Sequence, residues 1–285
     1  MPPESARLIQ LDDLSAMDIG DVVEQAQQRL GRSFTAEGVH FSRVNGTAGF
    51  PTDAGTWVRL SWRRSSRLDM RSWTGTEAAA AIRGVPRPQW LAAATWDDAD
   101  RAVVWKAEET TLAPAPAVSA VAEIDTAPSL PDRWWAELKA SLDTLADHTT
   151  DRMSLEQAHL SRRIHEVYGA SLDTRVPDEE WRCAHGDLGY ANLTGPALAL
   201  LDWESWGMAP RGWDAACLWS ASLGVPEVAA HVLAQFSDDL STRAGRLCRL
   251  LLCSNTARAA KRTGRTSPLA PAMAEAAETF LGELA

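Results

Sequence analysis

The sequence lacks the features of a secreted or membrane-embedded protein. It has four cysteines in 285 residues and no CxxC pair, so neither a disulfide framework nor a CxxC metal or redox motif is indicated. Its longest apolar runs are far shorter than the roughly 20 residues of a membrane-spanning helix. The N-terminus, MPPESARL, has no charged and apolar parts of a signal peptide. These absences predict a cytoplasmic protein with reduced, buried thiols and no membrane partner.

Positive charge is also scarce. The formal net charge is −10, and lysine occurs only at Lys106, Lys139 and Lys261. Nucleic-acid binding depends on basic surfaces that neutralise phosphates, so nucleic acid is not expected as a partner. The histidines form no HExxH pattern, which weakens a metal-dependent hydrolase built on His185. The sequence leaves the oligomeric state open.

Apolar residues make up 45% of the chain, and alanine is abundant, so a full core and many helices are expected. The order of patterns predicts an α+β fold with a small β-rich N-terminal lobe and a larger helical C-terminal lobe. We expect an N-terminal helix and β-rich lobe over 1–110, a Pro/Ala-rich hinge or linker over 111–131, and a helical lobe over 132–285.

Individual elements follow from hydrophobic periodicity and turn residues. In the N-terminal part we predict a helix over 14–30, strands over 38–44, 55–62, 89–96 and 101–110, a turn over 45–50, and a short helix over 74–84. In the C-terminal part we predict a strand ending in ALALLD and helices over 213–223, over 226–262 with a break near Ser241, and over 268–284.

One segment concentrates polar residues between two short apolar runs. In WRCAHGDLGYANLTGPALALLDWESWG (181–207), Asp187 and Asn192 lie in the loop, and Asp202 ends the second run. Phosphoryl transfer needs a carboxylate that orients the acceptor hydroxyl and oxygen ligands for the ion on the phosphates. Mg²⁺ prefers oxygen ligands. Asp187, Asn192 and Asp202 supply these groups.

The motifs HGDLGYAN and LLDWE resemble the catalytic and metal-binding motifs of the aminoglycoside phosphotransferase-like family, which shares its fold with the protein kinases. The resemblance implies a protein-kinase-like fold of two lobes, with ATP or GTP as phosphoryl donor. It implies that Asp187 is the catalytic base and that Asn192 and Asp202 bind Mg²⁺. It also implies that His185 supports the loop and that Asp214, in PRGWDAACLW, stabilises it from a helix start.

The N-terminal part matches the family less well. The family places a lysine on the third strand, paired with a glutamate on the next helix. Here the corresponding strand offers Arg59 and the next helix offers Glu77, with Lys106 as the alternative cation. A further set of nucleotide-binding candidates comprises Gly46 and Gly49 for close backbone approach to the phosphates, Trp105 for stacking, and Ala107 for a backbone hydrogen bond to the base.

Two functions from different classes remain open. The leading hypothesis is a small-molecule kinase that phosphorylates a hydroxyl group of an antibiotic or a metabolite. The alternative is a kinase-like nucleotide-binding regulatory protein with little or no catalysis, motivated by the missing strand lysine. Nucleotide turnover distinguishes the two.

Overall fold

The computed structural model describes residues 13–42 and 46–284. It divides into two units, one with a five-stranded sheet and one that is mainly helical. Unit 1 comprises the described residues through Trp73 together with Pro88–Ala113, and unit 2 comprises Thr74–Arg87 and the described residues from Pro114 onward. No helix within these described ranges is long and apolar enough to cross a membrane.

Unit 1 contains a five-stranded antiparallel sheet. Its helices are α1 (Gly20–Leu30) and α2 (Met70–Trp73), and its strands are β1 (His40–Phe41), β2 (Thr47–Pro51), β3 (Thr56–Arg64), β4 (Trp90–Asp98) and β5 (Val103–Thr111). The strand order is β1-β2-β3-β5-β4. Strand β5 is therefore an interior strand, bonded to β3 on one side and to β4 on the other.

The two faces of this sheet differ in chemistry because successive residues of a strand point to opposite sides. Val58 and Leu60 of β3 and Trp105 and Ala107 of β5 are buried in one apolar cluster with Val22 of α1. Each fully buried aliphatic side chain in such a cluster contributes about 2 kcal/mol. The residues between them on β3 and β5 are polar and lie on the other face.

The sequence patterns predicted most of unit 1. Strands β3, β4 and β5 are confirmed within two residues at each end. The helix expected over 14–30 is confirmed from Gly20 onward, and Leu14–Ala16 form a separate 3₁₀ turn before it. The strand expected over 38–44 is reduced to β1, and residues 43–45 lie outside the described part of the chain. The turn expected over 45–50 is wrong from Thr47 onward, because β2 pairs with β3 there and satisfies its backbone groups in the sheet.

The segment 74–87 differs from its prediction in both length and place. Only α3 (Gly75–Ala79) is α-helical, and the segment packs within unit 2 although the sequence placed it in the N-terminal lobe. The indole N–H of Trp206 donates to the carbonyl of Gly75 at 2.8 Å, and the backbone N–H of Leu200 donates to the carbonyl of Pro86 at 2.8 Å. These hydrogen bonds connect 74–87 to residues 200–206.

Unit 2 is mainly helical. After α3 its helices are α4 (Asp132–Ala146), α5 (Gln157–Tyr168), α6 (Trp213–Ala221), α7 (Pro226–Gln235), α8 (Ser237–Leu240), α9 (Arg243–Thr263) and α10 (Ala270–Leu284), and its strands are β6 (Trp181–Ala184) and β7 (Gly207–Pro210). Helix α9 packs against α5, α6 and α10. It begins where the Thr242 hydroxyl accepts a hydrogen bond from the backbone N–H of Gly245 at 3.0 Å.

The helical predictions in unit 2 are largely confirmed. The expected break near Ser241 is confirmed, since α7, α8 and α9 are separate helices on either side of it. The strand expected at ALALLD is reduced to an isolated bridge between Leu193 and Leu200. Segment 112–131 contains neither helix nor strand, apart from a single bridge at Ala117.

The four cysteines are unpaired. Cys183, Cys248 and Cys253 are buried and Cys217 is part-exposed, which confirms the prediction of buried thiols for three of the four. Burial raises the pKa of Cys183 to about 12 and that of Cys253 to about 12. These thiols are therefore protonated at neutral pH and are poor nucleophiles.

Candidate active site

The loop that carries the predicted catalytic residues is closed at its base by two strands. Strand β6 pairs antiparallel with β7, with Ala184 opposite Gly207, so residues 185 and 206 begin and end the loop at one point. Within it, the Leu201 N–H donates to the carbonyl of Asn192 at 2.9 Å. This backbone hydrogen bond holds Asn192 close to Leu201 and therefore close to Asp202, the next residue.

Asp214 fixes the start of the loop. It lies in the first turn of α6 and is 6% exposed. One carboxylate oxygen accepts the His185 N–H at 2.7 Å and the other accepts the Gly186 N–H at 2.9 Å. Burial raises the pKa of Asp214, while His185 and the two N–H donors lower it. Both donors would otherwise be unsatisfied, so the carboxylate is part of the loop's framework.

His185 links the two ends of this framework. Its side chain is fully buried, its Nε2 lies 2.7 Å from the carbonyl of Leu201, and its ring packs edge-on against Trp203 at 4.9 Å. Because a carbonyl accepts, Nε2 carries the proton and donates it. This nitrogen is therefore committed to the Leu201 carbonyl, and the other ring nitrogen, Nδ1, is buried without a hydrogen-bond partner within the described residues.

Gly186 adopts a backbone conformation that other residues rarely accept. Its φ is +90°, and an added Cβ would lie 2.2 Å from the Ser154 hydroxyl oxygen and 2.4 Å from the Ser205 carbonyl oxygen. Both the dihedral angle and the close approach therefore require glycine. The residue beside Asp187 is held between two other segments of unit 2.

Replacing Gly186 with alanine is expected to lower the free energy of unfolding by about 2 kcal/mol or more, because the strained backbone and the overlap with Ser205 add. Chemical denaturation provides the measurement. Gly282, with no atom within 4 Å of an added Cβ, is the control: Gly282→Ala in α10 is expected to be neutral or stabilising. Equal effects at the two positions would contradict this explanation.

Asp187 follows this fixed backbone, and its side chain is exposed. The Asn192 side-chain N–H donates to the Asp187 carbonyl at 2.8 Å, which connects the two residues across the turn. The Asn192 amide oxygen therefore remains to accept a hydrogen bond or to bind a metal ion. Within the described residues the Asp187 carboxylate makes no hydrogen bond or ion pair.

Asp202 has a φ of +60°, one of two non-glycine residues with positive φ among those described. Aspartate tolerates this left-handed region better than most residues, but such positions still cost about 1 kcal/mol or more. Leu201, directly before it, is held by hydrogen bonds from His185 and to Asn192. The local structure thus sustains a strained conformation at the predicted metal ligand.

The oxygen atoms of Asn192 and Asp202 suit a hard cation that also binds water and phosphate. No group of three His, Cys, Asp or Glu that could hold a metal occurs in the described part of the chain. A part-exposed carboxylate at Asp202 and an amide oxygen at Asn192 are nevertheless the ligands that Mg²⁺ uses, because it takes one or two protein oxygens and completes its shell with water and phosphate.

In unit 1, two nucleotide-binding predictions fail. Trp105 is fully buried in the apolar cluster, and its indole N–H donates to the Asp98 carboxylate at 3.0 Å, so it cannot stack on a base. Ala107 lies on the interior strand β5 opposite Leu60 and Ala94, so β3 and β4 flank its backbone. The strand continues to Thr111, whereas the sequence placed a hinge near Ala107.

The two glycines predicted to allow close approach of the phosphates, Gly46 and Gly49, lie in different surroundings. Gly46 has a φ of +60°, in keeping with a turn before β2. Gly49 lies within β2, where an added Cβ would lie 2.0 Å from the Trp57 indole. Trp57 therefore covers the position at which a phosphate was expected to approach.

Arg59 lies on β3 in unit 1, as expected. Glu77 lies on α3 in unit 2, and its side chain is exposed. The two residues of the predicted pair therefore belong to different units.

Glu108 is a buried acid of β5 that was not among the predicted site residues. Its carboxylate lies 3.3 Å from the Lys106 ammonium, and both side chains are buried in unit 1. Lys106 and Glu108 are two apart on a strand that is otherwise apolar from Val103 to Ala107, so they share a face.

The fold defined by these elements is that of the aminoglycoside phosphotransferases, a protein-kinase-like fold, and the predicted fold class is confirmed. No model of a protein family and no curated protein matches the sequence.

Solved structures give the particulars of this likeness. Amicoumacin kinase hAmiN has a TM-score of 0.56 and 13% identity, covering 98% of this chain and 94% of that chain. Aminoglycoside phosphotransferase APH(4)-Ia has a TM-score of 0.56 and 9% identity, covering 93% and 99%. APH(2″)-IIia, in a complex with GDP and kanamycin, has a TM-score of 0.55 and 13% identity, covering 92% and 99%. At these identities the likeness establishes the fold.

Proposed function

We propose that the chain is an enzyme that transfers the γ-phosphoryl group of ATP or GTP to a hydroxyl group of a small molecule. One observation carries the proposal. The exposed Asp187 carboxylate lies on a loop whose backbone is fixed on both sides of it. The N–H groups of His185 and Gly186 donate to the Asp214 carboxylate, and the Asp187 backbone carbonyl accepts from the Asn192 side chain. An exposed acid on so constrained a loop is suited to orient a reacting group.

Asp187 is the proposed catalytic base. Its carboxylate accepts a hydrogen bond from the acceptor hydroxyl and takes the proton as the oxygen attacks the γ-phosphorus. The bond from this phosphorus to the β–γ bridging oxygen breaks, and ADP or GDP leaves. No other side chain or backbone group among the described residues makes a hydrogen bond or ion pair with this carboxylate. The strength of the arrangement lies in position, since phosphoryl transfer asks for alignment more than for covalent chemistry.

Asn192 and Asp202 are the proposed Mg²⁺ ligands. When bound, the ion supplies neutralisation of the charge on the phosphate oxygens. Asn192 is oriented for this role because its N–H group is held by the Asp187 carbonyl, which leaves the amide oxygen as ligand. His185 acts at a distance by holding Leu201, the residue before Asp202.

The similar structures support a nucleotide donor and an antibiotic acceptor. The hAmiN structure is a complex with AMP-PNP, Ca²⁺ and Ami, and that of APH(2″)-IIia contains GDP and kanamycin. Because an adenine and a guanine nucleotide both occur, we propose ATP or GTP. An antibiotic acceptor would make the protein a resistance or self-protection enzyme. The unpaired thiols favour a reducing compartment, and we propose the cytoplasm.

A second candidate is a nucleotide-binding regulatory protein without catalysis. The absence of a lysine from β3 and the exposed position of Glu77 favour it. The constrained loop argues against it, because a protein without catalytic activity has no need to sustain the strained Asp202 beside Asn192.

The experiment is an acceptor screen with Mg-ATP and Mg-GTP. Purified protein is incubated with hydroxyl-bearing aminoglycosides, other hydroxylated antibiotics and amino alcohols, and each acceptor is analysed by mass spectrometry for the gain of one phosphoryl group. We expect at least one acceptor to gain it in a Mg²⁺-dependent reaction that chelation abolishes. Binding of Mg-nucleotide without phosphorylation of any acceptor or hydrolysis would instead favour the regulatory protein.

A further inference from the structure

Part of the predicted linker, residues 116–124, runs alongside the catalytic loop within unit 2 and is bonded to it. The Val118 N–H donates to the Leu193 carbonyl at 2.8 Å. Beside this hydrogen bond, Ala117 and Thr194 form an antiparallel bridge. The composition of this part of the chain predicted a linker, whereas the structure pairs it with the residues that follow the proposed metal ligand Asn192. We call these nine residues the 116–124 segment.

Tyr190 is the loop residue that the 116–124 segment holds from two sides. Its N–H donates to the Ala122 carbonyl at 3.0 Å, and its carbonyl accepts the Ser119 N–H at 3.2 Å. Its fully buried hydroxyl lies 2.7 Å from the hydroxyl oxygen of Ser222, which itself donates to the Leu218 carbonyl at 2.7 Å. The phenol is therefore the donor to Ser222. The segment fixes the backbone of Tyr190, and the end of α6 fixes its side chain.

Two glycines allow the 116–124 segment to lie this close to unit 2. A Cβ added at Gly189 would lie 2.9 Å from the Ala122 Cβ, and one added at Gly224 would overlap the Ile124 carbonyl oxygen. Gly189 has a φ of −152°, which any residue adopts. The contact with Ala122, and not the backbone conformation, therefore requires glycine at position 189.

The 116–124 segment contributes little to the apolar core. Within it only Ile124 is buried, and most of the others are exposed. Burial of apolar surface is the main source of stability for a packed element. A segment that buries one side chain and makes several backbone hydrogen bonds to a single loop is therefore suited to hold that loop in place.

The hydrogen bonds of this segment flank Asn192. Tyr190 lies two residues before it, in the same 3₁₀ turn, and Leu193 directly follows it. Groups that orient a metal ligand without touching the ion commonly contribute about 10-fold or more to metal affinity. We propose, resting on the function proposed above, that the 116–124 segment positions Asn192 for the metal ion through Tyr190 and Leu193. Tyr190 and Ala122 are therefore positioning residues.

The contact between Gly189 and Ala122 allows a test by a double-mutant cycle. Gly189→Ala places a methyl group against Ala122 and is expected to push the segment away from the loop. Ala122→Gly removes the methyl group that it meets first, so the double variant is expected to recover part of the loss. Ala120→Gly is the control, because Ala120 is exposed in the same segment and its replacement adds the same backbone freedom.

Calorimetry measures the affinity for a non-hydrolysable analogue of ATP or GTP with and without Mg²⁺, so no turnover is needed. We expect Gly189→Ala to lower the gain in affinity that Mg²⁺ gives by about 10-fold. The affinity without Mg²⁺ is expected to stay unchanged, and hydrogen exchange at the Tyr190 amide is expected to accelerate. Ala120→Gly is expected to behave as the wild type does.

Ser119→Pro is the milder second variant, because it removes one hydrogen bond to the Tyr190 carbonyl. We expect it to lower the gain from Mg²⁺ in the same direction by a smaller factor. It carries the test if Gly189→Ala does not fold.

An unchanged gain from Mg²⁺ in the variants that fold would overturn the inference, because the loop would then hold Asn192 without the segment. A double variant no better than Gly189→Ala would also overturn it, since contact with Ala122 would not be the cause. Equal losses with and without Mg²⁺ would show a general structural effect and overturn it too. A wild-type protein whose affinity for both analogues is independent of Mg²⁺ would instead overturn the proposed metal site, and the inference with it. The two failures are therefore distinguishable.

Discussion

Replacing Asp187 with asparagine is expected to lower kcat for phosphoryl transfer by roughly 10³-fold, within the range of a lost general base. Asparagine has the same shape but cannot take the acceptor's proton. Nucleotide affinity and the free energy of unfolding are expected to stay nearly unchanged, because the Asp187 carboxylate has no partner within the described residues. Steady-state kinetics with the acceptor found in the screen measures the first, and calorimetry and denaturation measure the others.

The control for this variant is Asp178→Asn. Asp178 is also an exposed aspartate of unit 2, in the turn that precedes β6, so the chemical change is the same. We expect wild-type kinetics from it. Asp187→Asn with undiminished kcat would remove Asp187 from the reaction. A large loss of stability would show instead that the carboxylate belongs to the framework of the loop.

The loop could be predicted from the sequence because its geometry is local. Asp187, Asn192 and Asp202 lie within 16 residues of each other, and a turn and a bridge at Leu193 bring such positions together whatever surrounds them. Asp214 is more distant, but it starts a helix that directly follows β7. A motif confined to one turn and one helix start needs little information about the rest of the fold.

The nucleotide-binding predictions in unit 1 failed where the face of a strand decided the outcome. Trp105 and Lys106 are neighbours in sequence, yet one packs in the apolar cluster and the other lies on the polar face. A shift of one residue in register exchanges the two faces of a strand. The sequence identified β5 without establishing which alternate residues pack against α1.

The partner of a short helix cannot be predicted from its own composition. Helix α3 was correctly expected near Glu77, but residues 74–87 pack in unit 2 through Trp206 and Leu200, more than 100 residues further along the chain. Helix propensity reports only on the backbone of the segment. The assignment of Glu77 as an ion-pair partner therefore had no basis in local sequence, whereas Glu108 lies two residues from Lys106 on the same face of one strand.

Loss of Asp214 is expected to have the largest effect on stability. In Asp214→Ala the buried N–H group of His185 and the part-buried N–H group of Gly186 both lose their acceptor. A buried unsatisfied group costs about 2 kcal/mol and a part-buried one less, so the free energy of unfolding falls by about 3 kcal/mol. Asp214→Asn retains one carbonyl oxygen and can keep one of the two hydrogen bonds. It is therefore expected to lose about half as much.

The same substitution tests whether the two hydrogen bonds to Asp214 hold the catalytic loop in position. Hydrogen exchange at the His185 and Gly186 amides is expected to accelerate in Asp214→Ala, and kcat is expected to fall because Asp187 is no longer held in place. Asp132→Ala is the matched control, since Asp132 is also a first-turn aspartate, of α4, but is exposed. Its loss removes only a favourable charge near a helix start, about 0.5 kcal/mol. Unchanged exchange at both amides in Asp214→Ala would show that the loop keeps its conformation without this carboxylate. The lost hydrogen bonds would then not explain any decrease in the free energy of unfolding from wild type to Asp214→Asn to Asp214→Ala.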